Sequence, residues 1–577
     1  GVFRLKGVTE VAMEKKVSEI VDNALNSLKN EGLVPEDFQG PVIIERPKRP
    51  EFGDFGCALP LVLARVMKRS PAECAGLLIK AMTPPAGLFE SIEFAPPGYV
   101  NFRVTVDAWF KALKTVLDIP QIGNREKVLL EFVSANPTGP LHVGHGRGAV
   151  LGDAIARLMR ATGFDVETEY LINDVGNQMA MLGRSIHARG QEYLGIPSKF
   201  PENGYHGEYI RTLAQSFAES DEGKAICKRD YDDISPSDNN AVVRYGASTL
   251  LEEIQETLAD LDIHFDHWFS ERTLHQSGRV QASVDALLAK GAAYRDETGA
   301  VLFKMDLDDE DDRVIVRSNQ IPTYFASDIA YHDEKAKRGY KRLINIWGAD
   351  HHGYIPRVKA ALEAFDHDPE LLHVVLVQMV SLIRGKEIVP MGKRTGKFVT
   401  LQEIIDEVGS DAVRFIFLLR RADAQMEFDL DLARSQTMDN PVYYVQYGHA
   451  RVASIIRKAV EMGISVPVPS PEMAHVLNLP EEQSIIRGLN RYPSVIAISA
   501  MQAEPHHVAF YLMEIVKEFH SYYTRYKGSE KVISDDTVKT AARLYLVSRI
   551  QAVLGHGLGL LGVSAPESMY YGAEDDE

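Results

Sequence analysis

The chain has 577 residues, enough for about two to four domains with separate cores. Hydrophobic residues make up 45% of it and charged residues 25%, and no apolar run reaches the about 18 residues that a membrane-spanning helix needs. The net charge of −18 argues against indiscriminate binding to nucleic acid. Cys57, Cys74 and Cys227 lack the spacing of a disulfide framework or a zinc site, which favours a reducing cytoplasm.

The first two regions in chain order differ in their patterns. A first block, 1–120, mixes the helical pattern KKVSEIVDNALNSLKN with the extended run PVIIERP and predicts an α+β domain, followed by the linker LDIPQIGN. In 121–405 strands alternate with helices, and the strand candidates are KVLLEFV, DVETEYLI, RLINIWG and LHVVLVQMV. This alternation predicts a doubly wound, mainly parallel sheet of the Rossmann type. The helical pattern within 239–293 and the polar segment DLDDEDDRVIVRSNQ are expected to be inserted between two halves of that sheet.

The third region, 406–577, has an almost entirely helical pattern, apart from the loop ISVPVPSPE at 464–472. It predicts a helical bundle. The fold class expected for the whole chain is therefore α/β plus all-α, with an α+β N-terminal domain.

The segment NPTGPLHVGHGRGAVLGDAIARLMRATG at 136–163 carries the sharpest chemical pattern. It follows a strand candidate and leads into an amphipathic helix, whose N-terminal amides and dipole suit phosphate. Gly144 leaves room for a ligand, and His142 and His145 could donate hydrogen bonds to phosphoryl oxygens as charge builds. The alternatives are two structural histidines or a metal pair, for which no further ligands are evident nearby.

The segment VPMGKRTGKFVTL at 389–401 places Lys393 and Arg394 between glycines, where they could clamp a polyphosphate. By itself the pattern is weak, because basic turns with glycine are common. Its position after the last predicted parallel strand makes it more specific.

Taken together, these motifs resemble those of a known family. HVGH resembles the HIGH motif of class I aminoacyl-tRNA synthetases, and MGKRTG resembles their KMSK loop. The chain is similar to the arginyl-tRNA synthetase family in YLINDVGNQM, GYHGEYI, FDHWFSE, PTYFASDIAYHDEK, GSDAVRFIFLLR, NPVYYVQYGHAR, FHSYY and LGVSAPESM. In the first block, FGDFGCALPLVLARVMKRSPAECA and APPGYVNF resemble the family's additional tRNA-contacting domain.

One departure concerns the KMSK position, which reads Pro390-Met391-Gly392-Lys393 and lacks the first lysine and the serine. Lys393 matches the second lysine, and Arg394, Lys397 and Lys386 are the candidates to compensate.

The resemblance implies ATP-dependent ligation of L-arginine to tRNA(Arg) through an arginyl-adenylate, with Mg²⁺ accompanying ATP and no protein-bound zinc. It implies catalytic roles for His142, His145 and Lys393. The expected ATP contacts are His142, Gly144, His145, Asp350, His351, Lys393 and Arg394. We expect a cytoplasmic monomer without membrane contact. The eroded KMSK loop leaves a second hypothesis, a catalytically weak paralogue that binds tRNA or senses arginine, and a small nucleotidylyltransferase is a third.

Arginine requires carboxylates arranged for a planar cation. Tyr324 and Asp328 are four apart, on one face if PTYFASD is helical, and by resemblance they match the family's guanidinium-binding positions. Glu271 is a further candidate. Glu131 lies in an apolar strand, where an incoming cation would explain a buried carboxylate; the alternative is a salt bridge to a protein arginine. By resemblance, the positions that hold the α-amino and carboxyl end are Glu131, Ser134 and Asn136.

Two further sets of residues are candidate ligand contacts. Asp350 and His351 follow the strand RLINIW, at the end of a parallel strand where ligands bind, although structural histidines are the alternative. In the helical region the resemblance and the aromatic content predict tRNA contacts at Tyr443, Tyr447, Arg451, Phe519, Tyr523 and Met569. Most aromatics of a helical bundle are core residues, so each ring has that alternative.

Overall fold

The computed structural model describes residues 12–305, 311–389 and 398–569. In these ranges no helix has both the length and the apolar character to cross a membrane. Cys57, Cys74 and Cys227 are buried free thiols.

The N-terminal domain is α+β, as predicted, and its sheet has the order β1-β2-β4-β3 with antiparallel pairs. Its elements are α1 (Ala12–Asn30), β1 (Ile44–Glu45), β2 (Phe55–Cys57), α2 (Leu59–Met67), α3 (Pro71–Ala81), β3 (Phe89–Ala95), β4 (Tyr99–Val104) and α4 (Val106–Ala112). Local chemistry explains the bounds. At the start of α3, for example, Ser70 Oγ accepts from the Glu73 amide and the Glu73 carboxylate accepts from the Ser70 amide, which is a capping box.

A five-stranded parallel sheet forms the centre of the middle region, in the order β12-β11-β5-β6-β7. Its strands are β5 (Lys127–Glu131), β6 (Asp165–Ile172), β7 (His267–Ser270), β11 (Arg342–Gly348) and β12 (Leu372–Val377). The predicted parallel sheet is confirmed, and β6 and β11 have the predicted bounds. Strands β6 and β7 are added on one side of β5, and β11 and β12 on the other. This switch in strand order between β5 and β11 opens a crevice at the carboxyl ends of these two parallel strands.

The remaining elements of this region cover the sheet and extend it. They are α5 (Val143–Ala161), α6 (Asn177–Tyr193), α7 (Glu208–Glu219), α8 (Asp221–Cys227), α9 (Pro236–Asp260), α10 (Glu271–Gln276), α11 (Arg279–Ala289), β8 (Ala293–Arg295), β9 (Val301–Phe303), β10 (Arg313–Val316), α12 (Tyr324–Lys337), α13 (Ile355–Ala364), β13 (Val380–Arg384) and β14 (Glu387–Ile388). Strands β8, β9 and β10 form a separate antiparallel sheet.

Three predictions for this region were wrong in detail. The strand predicted at 127–133 ends at Glu131, because Val133 and Ser134 have φ of 68° and 43°, outside the β region. The segment 239–293 is not an uninterrupted helical insertion, because β7 leaves it and pairs with β6 as a strand of the central sheet. The run LHVVLVQMV contains β12 and the start of β13, which belong to different sheets.

The C-terminal region is a helical bundle, as predicted, with one strand that was missed. Its elements are α14 (Leu401–Val408), α15 (Ser410–Phe417), β15 (Met426–Asp429), α16 (Leu430–Arg434), α17 (Pro441–Glu461), α18 (Pro471–Val476), α19 (Pro480–Asn490), α20 (Tyr492–Gln502), α21 (His506–Tyr526) and α22 (Thr537–Leu560). Strand β15 pairs in parallel with β13 and so attaches this region to the preceding one. Helix α5 packs against α14, α15, α20 and α22, so the bundle supports the helix that carries HVGH.

Candidate active site

A cavity of about 770 Å³ lies at the carboxyl ends of β5, β6 and β11, where the switch in strand order predicts a ligand site. It brings together eight of the residues selected from the sequence: Glu131, Ser134, Asn136, His145, Glu271, Tyr324, Asp328 and His351. Gly144 and Asp350 are adjacent in sequence to lining residues and His142 is three residues from His145, but these three do not line the cavity themselves.

The two histidines of HVGH form the first turn of α5, and the backbone sets their tautomers. Nδ1 of His142 accepts from the Gly144 amide at 3.1 Å, and Nδ1 of His145 accepts from the His142 amide at 3.2 Å. Each imidazole therefore carries its hydrogen on Nε2, the form that donates to an anion. The rings stack with centroids 3.7 Å apart. A Cβ at Gly144 would lie 3.1 Å from the His142 ring, so this glycine accommodates the histidine in addition to any role toward a ligand.

The chain that follows the predicted phosphate loop lies beside this turn. The Leu401 amide donates to the Leu141 carbonyl at 2.8 Å, and Thr400 forms an antiparallel bridge with His142. Lys393, Arg394 and Lys397 lie outside the described residues. Lys386 lies in the turn between β13 and β14 and is exposed.

Another part of the cavity wall is lined by Glu271, Asp328 and Tyr324, and we call it the acidic end of the cavity. Tyr324 and Asp328 lie one turn apart on α12, so the predicted helical spacing is confirmed. Asp328 accepts from the Tyr354 hydroxyl at 2.5 Å. Glu271 is 5% exposed, and its Oε2 has no hydrogen-bond partner among the described residues. A buried carboxylate oxygen without a hydrogen-bond partner is costly, which indicates that a cationic ligand supplies the missing hydrogen bond.

Gly176 leaves space for the side chain of Tyr324. Gly176 has φ of 96°, which favours glycine, and a Cβ there would lie 2.8 Å from the Tyr324 hydroxyl. Tyr324 is 57% exposed and lines the cavity, so it lies where the cavity opens to solvent.

Burial dominates the electrostatics of the acidic end. It raises the pKa of Asp328 from 3.8 to about 7, and the neighbouring carboxylates of Glu271 and Glu131 raise it further, against the hydrogen bond from Tyr354 and the charge of Lys335. Burial also raises the pKa of Glu271. The cavity without ligand therefore resists full ionisation, and a bound cation would relieve this.

Where β5 ends at the cavity wall, the structure corrects the interpretation of Glu131. Its Oε2 lies 2.5 Å from Nζ of Lys335, and its Oε1 accepts from Ser134 Oγ at 2.9 Å. Glu131 thus has a protein cation as partner, and it is a lysine of α12 where the alternative hypothesis expected an arginine. Burial of this carboxylate alone is therefore no argument for a cationic ligand.

The loop after β5 is held by neighbours from the YLINDVGNQM segment. Asn173 Nδ2 donates to the Ser134 carbonyl at 3.1 Å, and the Leu171 amide donates to Ser134 Oγ at 3.1 Å. The Asn136 amide donates to Gln178 Oε1. These contacts hold Val133 and Ser134 in their left-handed conformations, a form of strain common at functional sites.

The segment GADHHGY contributes residues to the cavity wall, but Asp350, which was selected from the sequence, is not one of them. Asp350 has an 82% exposed side chain, whereas His351 lines the cavity. Tyr354 is the residue of this segment that donates a hydrogen bond to Asp328, and the sequence did not predict its role. The short 3₁₀ turn Ala349–Tyr354 brings Tyr354 back toward α12, and no periodicity in the sequence indicated that turn.

Comparison with known proteins agrees with this geometry. Three family models match: Arginyl tRNA synthetase N terminal domain at residues 15–104, tRNA synthetases class I (R), catalytic domain at 111–428, and DALR anticodon binding domain at 445–569. An arginine–tRNA ligase of Syntrophotalea carbinolica is 44% identical over 569 residues, covering 96% of this chain and 100% of the relative. One of Desulfosudis oleivorans is 42% identical over 566 residues, with the same coverage.

The chain belongs to the arginyl-tRNA synthetase family. Solved structures share its fold: Thermus thermophilus arginyl-tRNA synthetase has a TM-score of 0.74 at 23% identity, covering 96% of this chain and 100% of that one. The Plasmodium falciparum arginyl-tRNA synthetase has a TM-score of 0.70 at 16% identity, covering 96% and 99%.

In the bundle of this synthetase, the predicted tRNA contacts divide by exposure. Phe519 is 0% exposed, so base stacking by this ring is ruled out without unpacking the core, and that prediction is corrected. Tyr443 and Tyr447 are 5% and 6% exposed and stack on each other. The guanidinium of Arg451 lies 4.9 Å from the Tyr447 ring centroid and 5.0 Å from that of Tyr523. Arg451, Tyr523 and Met569 are partly exposed and can meet a ligand.

A possible metal-binding group in the described part of the synthetase lies away from this cavity lining. Glu504, His506 and His507 have ligand atoms within 4.8 Å of one another, and none of the three lines the cavity. None of the described lining residues is a cysteine.

Proposed function

We propose that this synthetase selects arginine by holding its guanidinium between Asp328, Glu271 and Tyr324, and ligates it to tRNA(Arg) in two steps. The arginine carboxylate attacks the α-phosphorus of ATP, forming arginyl-adenylate and releasing pyrophosphate. A ribose hydroxyl of the terminal adenosine of tRNA then attacks the acyl carbon, and AMP leaves. The enzyme contributes positioning and charge stabilisation, with no covalent enzyme intermediate.

The observation that carries this proposal is the buried Oε2 of Glu271, which has no hydrogen-bond partner among the described residues and belongs to the same cavity lining as Asp328. Two carboxylates and a hydroxyl match the donors of a planar guanidinium, which cannot lose its proton. An amino acid without that group would leave these acceptors unpaired, which can discriminate by about 10⁴–10⁵. A separate editing activity is then not required.

At the other end we propose that Glu131, Ser134 and Asn136 hold the α-amino and carboxyl groups. His142 and His145, with hydrogens on Nε2, would donate to phosphate oxygens in the transition state. Gly144, Asp350 and His351 would contact the nucleotide. Lys393 and Arg394 would hold the departing phosphates. Mg²⁺ would arrive with ATP, and we expect no resident zinc.

The same proposal extends to the rest of the molecule. Arg451, Tyr523 and Met569, which are partly exposed, would contact the tRNA, and the buried, stacked rings of Tyr443 and Tyr447 would support Arg451 from the core side. The domain boundaries would lie near 120 and 405. The N-terminal domain would be a further tRNA contact. We propose a cytoplasmic location, which the buried free thiols of the described residues support, and a monomeric enzyme.

Arginine-dependent exchange of pyrophosphate into ATP, measured with and without tRNA(Arg), tests the assignment of the guanidinium site. We expect Glu271→Gln and Asp328→Asn each to raise the arginine KM about 100-fold, because each removes a charge-assisted hydrogen bond, while the ATP KM stays within about twofold. Glu334→Gln is the matched control on α12, where Glu334 pairs with Arg338 instead of facing the cavity.

An unchanged arginine KM in both variants would reject the guanidinium site. The same assay decides between the enzyme and a catalytically weak paralogue. Absence of exchange by the unmodified enzyme, with arginine and tRNA both saturating, would favour the paralogue.

A further inference from the structure

Lys335 is a fully buried ammonium that pairs with Glu131 on the wall of the arginine cavity, and no step of the proposed reaction uses it. It is 0% exposed. Its Nζ lies 2.5 Å from Glu131 Oε2, 2.9 Å from Asn345 Oδ1 and 4.7 Å from the Tyr331 ring centroid. A buried charge persists only where partners compensate its desolvation, and here the partners are a cavity-lining carboxylate and an amide.

From Lys335 a hydrogen-bond chain runs to the backbone of Asp328. Asn345 Nδ2 lies 2.9 Å from His332 Nε2, and His332 Nδ1 lies 2.8 Å from the Asp328 carbonyl. A carbonyl only accepts, so His332 carries its hydrogen on Nδ1, and its Nε2 accepts from the Asn345 amide. Asn345 Oδ1 then accepts from Lys335. Each hydrogen bond of this chain therefore has a defined donor, and the chain links the lysine that pairs with Glu131 to the backbone of Asp328.

The charges of the cavity also depend on this lysine. Three carboxylates line the described cavity wall, those of Glu131, Glu271 and Asp328. Lys335 offsets one of them, which leaves two negative charges for the two cationic groups of arginine, its α-ammonium and its guanidinium. Without Lys335 the Glu131 carboxylate would lose its ion-pair partner, and the charges of Glu131 and Glu271 already oppose the ionisation of Asp328.

We propose that Lys335 is a positioning residue that orients the Glu131 carboxylate for the α-ammonium of arginine and matches the number of unpaired carboxylates in the cavity to the two cationic groups of arginine. Lys335 donates to Oε2 and Ser134 donates to Oε1, so both oxygens of Glu131 are held in place on the cavity wall that this side chain lines. This inference rests on the proposed binding of arginine in this cavity.

A cycle of two variants and two ligands tests it by calorimetric titration of the full-length enzyme. The ligands are L-arginine and 5-guanidinopentanoate, which is arginine without the α-ammonium. We expect Lys335→Met to weaken the binding of L-arginine about tenfold or more and that of 5-guanidinopentanoate by less than about twofold. Asn345→Ala, which keeps the ammonium but breaks the chain, should give the same ligand-selective loss at about threefold.

Equal losses for the two ligands would show a merely structural role and overturn the proposal, as would tighter binding of L-arginine, which would mean that Lys335 competes for Glu131. If Lys335→Met does not fold, the Asn345→Ala result decides by the same criteria. Lys337→Met is the matched control, because this lysine of α12 has a 65% exposed side chain; it should leave both affinities unchanged. Asp328→Asn should weaken both ligands; if it weakens neither, the proposed function fails independently of Lys335.

Discussion

At the scale of single residues, the charge state of Asp328 connects the stability of the enzyme with its affinity for arginine. Burial and two neighbouring carboxylates raise the pKa of Asp328 to about 7. A guanidinium requires the ionised form of this side chain. Arginine must therefore displace a proton whenever the pH is below this value.

The first prediction concerns the arginine KM as a function of pH. Because Asp328 is mostly protonated below pH 7, the arginine KM should be about tenfold higher at pH 6 than at pH 8. In Asp328→Asn this dependence should disappear. Steady-state exchange kinetics across pH 5.5–8.5 measure it, and a flat profile for the unmodified enzyme would contradict the assignment.

The second prediction concerns stability without arginine. The folded-state pKa of Asp328 is raised, so its contribution to the unfolding free energy is fully present below about pH 4 and declines as the pH rises through about 7. Asp328→Asn should therefore raise Tm by about 2 °C or more at pH 8 and leave it nearly unchanged at pH 4. Calorimetric scans at both pH values decide. A lower Tm at pH 8 would mean that the charge is compensated within the protein.

At the scale of elements, the helix that carries HVGH is held by a buried arginine from the next region. Arg414 on α15 is 0% exposed and pairs with Asp153 on α5 at 2.5 Å. Its other donors reach the carbonyl oxygens of Leu261 and Leu561, at 2.7 and 2.9 Å. This one side chain thus joins α5 to the end of α9 and the end of α22.

The third prediction is that Arg414→Met lowers the unfolding free energy by about 3–5 kcal/mol, because it leaves Asp153 and two carbonyl groups with fewer partners. Denaturant unfolding followed by circular dichroism measures it. Arg434→Met is the control, since its side chain is 62% exposed and its ion pair is long; it should change the unfolding free energy by less than about 0.5 kcal/mol. Equal effects would show that Arg414 does not join these elements.

At the scale of the whole molecule, the N-terminal domain and the bundle form a continuous packed unit. Helix α4 packs against α18 and α19, Asn490 Nδ2 donates to the Trp109 carbonyl at 3.1 Å, and Arg487 pairs with Asp54 at 2.9 Å. The bundle in turn packs on α5. A tRNA bound across these regions would therefore meet surfaces with a defined relation to the cavity.

The fourth prediction concerns that surface. Arg451→Met should raise the KM for tRNA(Arg) about 5- to 30-fold by removing a cation beside Tyr447 and Tyr523, and the effect should shrink at high salt. The KM values for ATP and arginine should stay unchanged. Aminoacylation kinetics at two salt concentrations test this, with Arg434→Met as a control on a surface residue outside the aromatic group. An unaltered tRNA KM would remove Arg451 from the contact surface.

The sequence by itself determined the features that local periodicity and spacing encode. The four-residue separation of Tyr324 and Asp328 predicted a shared helix face, and the strand–loop–helix pattern around HVGH predicted the ligand edge of a parallel sheet. Each depends on neighbours within a few residues along the chain.

Only the tertiary structure decided which distant groups meet. The partner of Glu131 is Lys335, 204 residues away, and that of Asp328 is Tyr354 at the end of a 3₁₀ turn. Packing also removed Phe519 from the predicted tRNA surface and added β7 and β15 as strands. Pairing, burial and electrostatic coupling arise from contacts between elements far apart in the chain, which no periodicity within one segment can record.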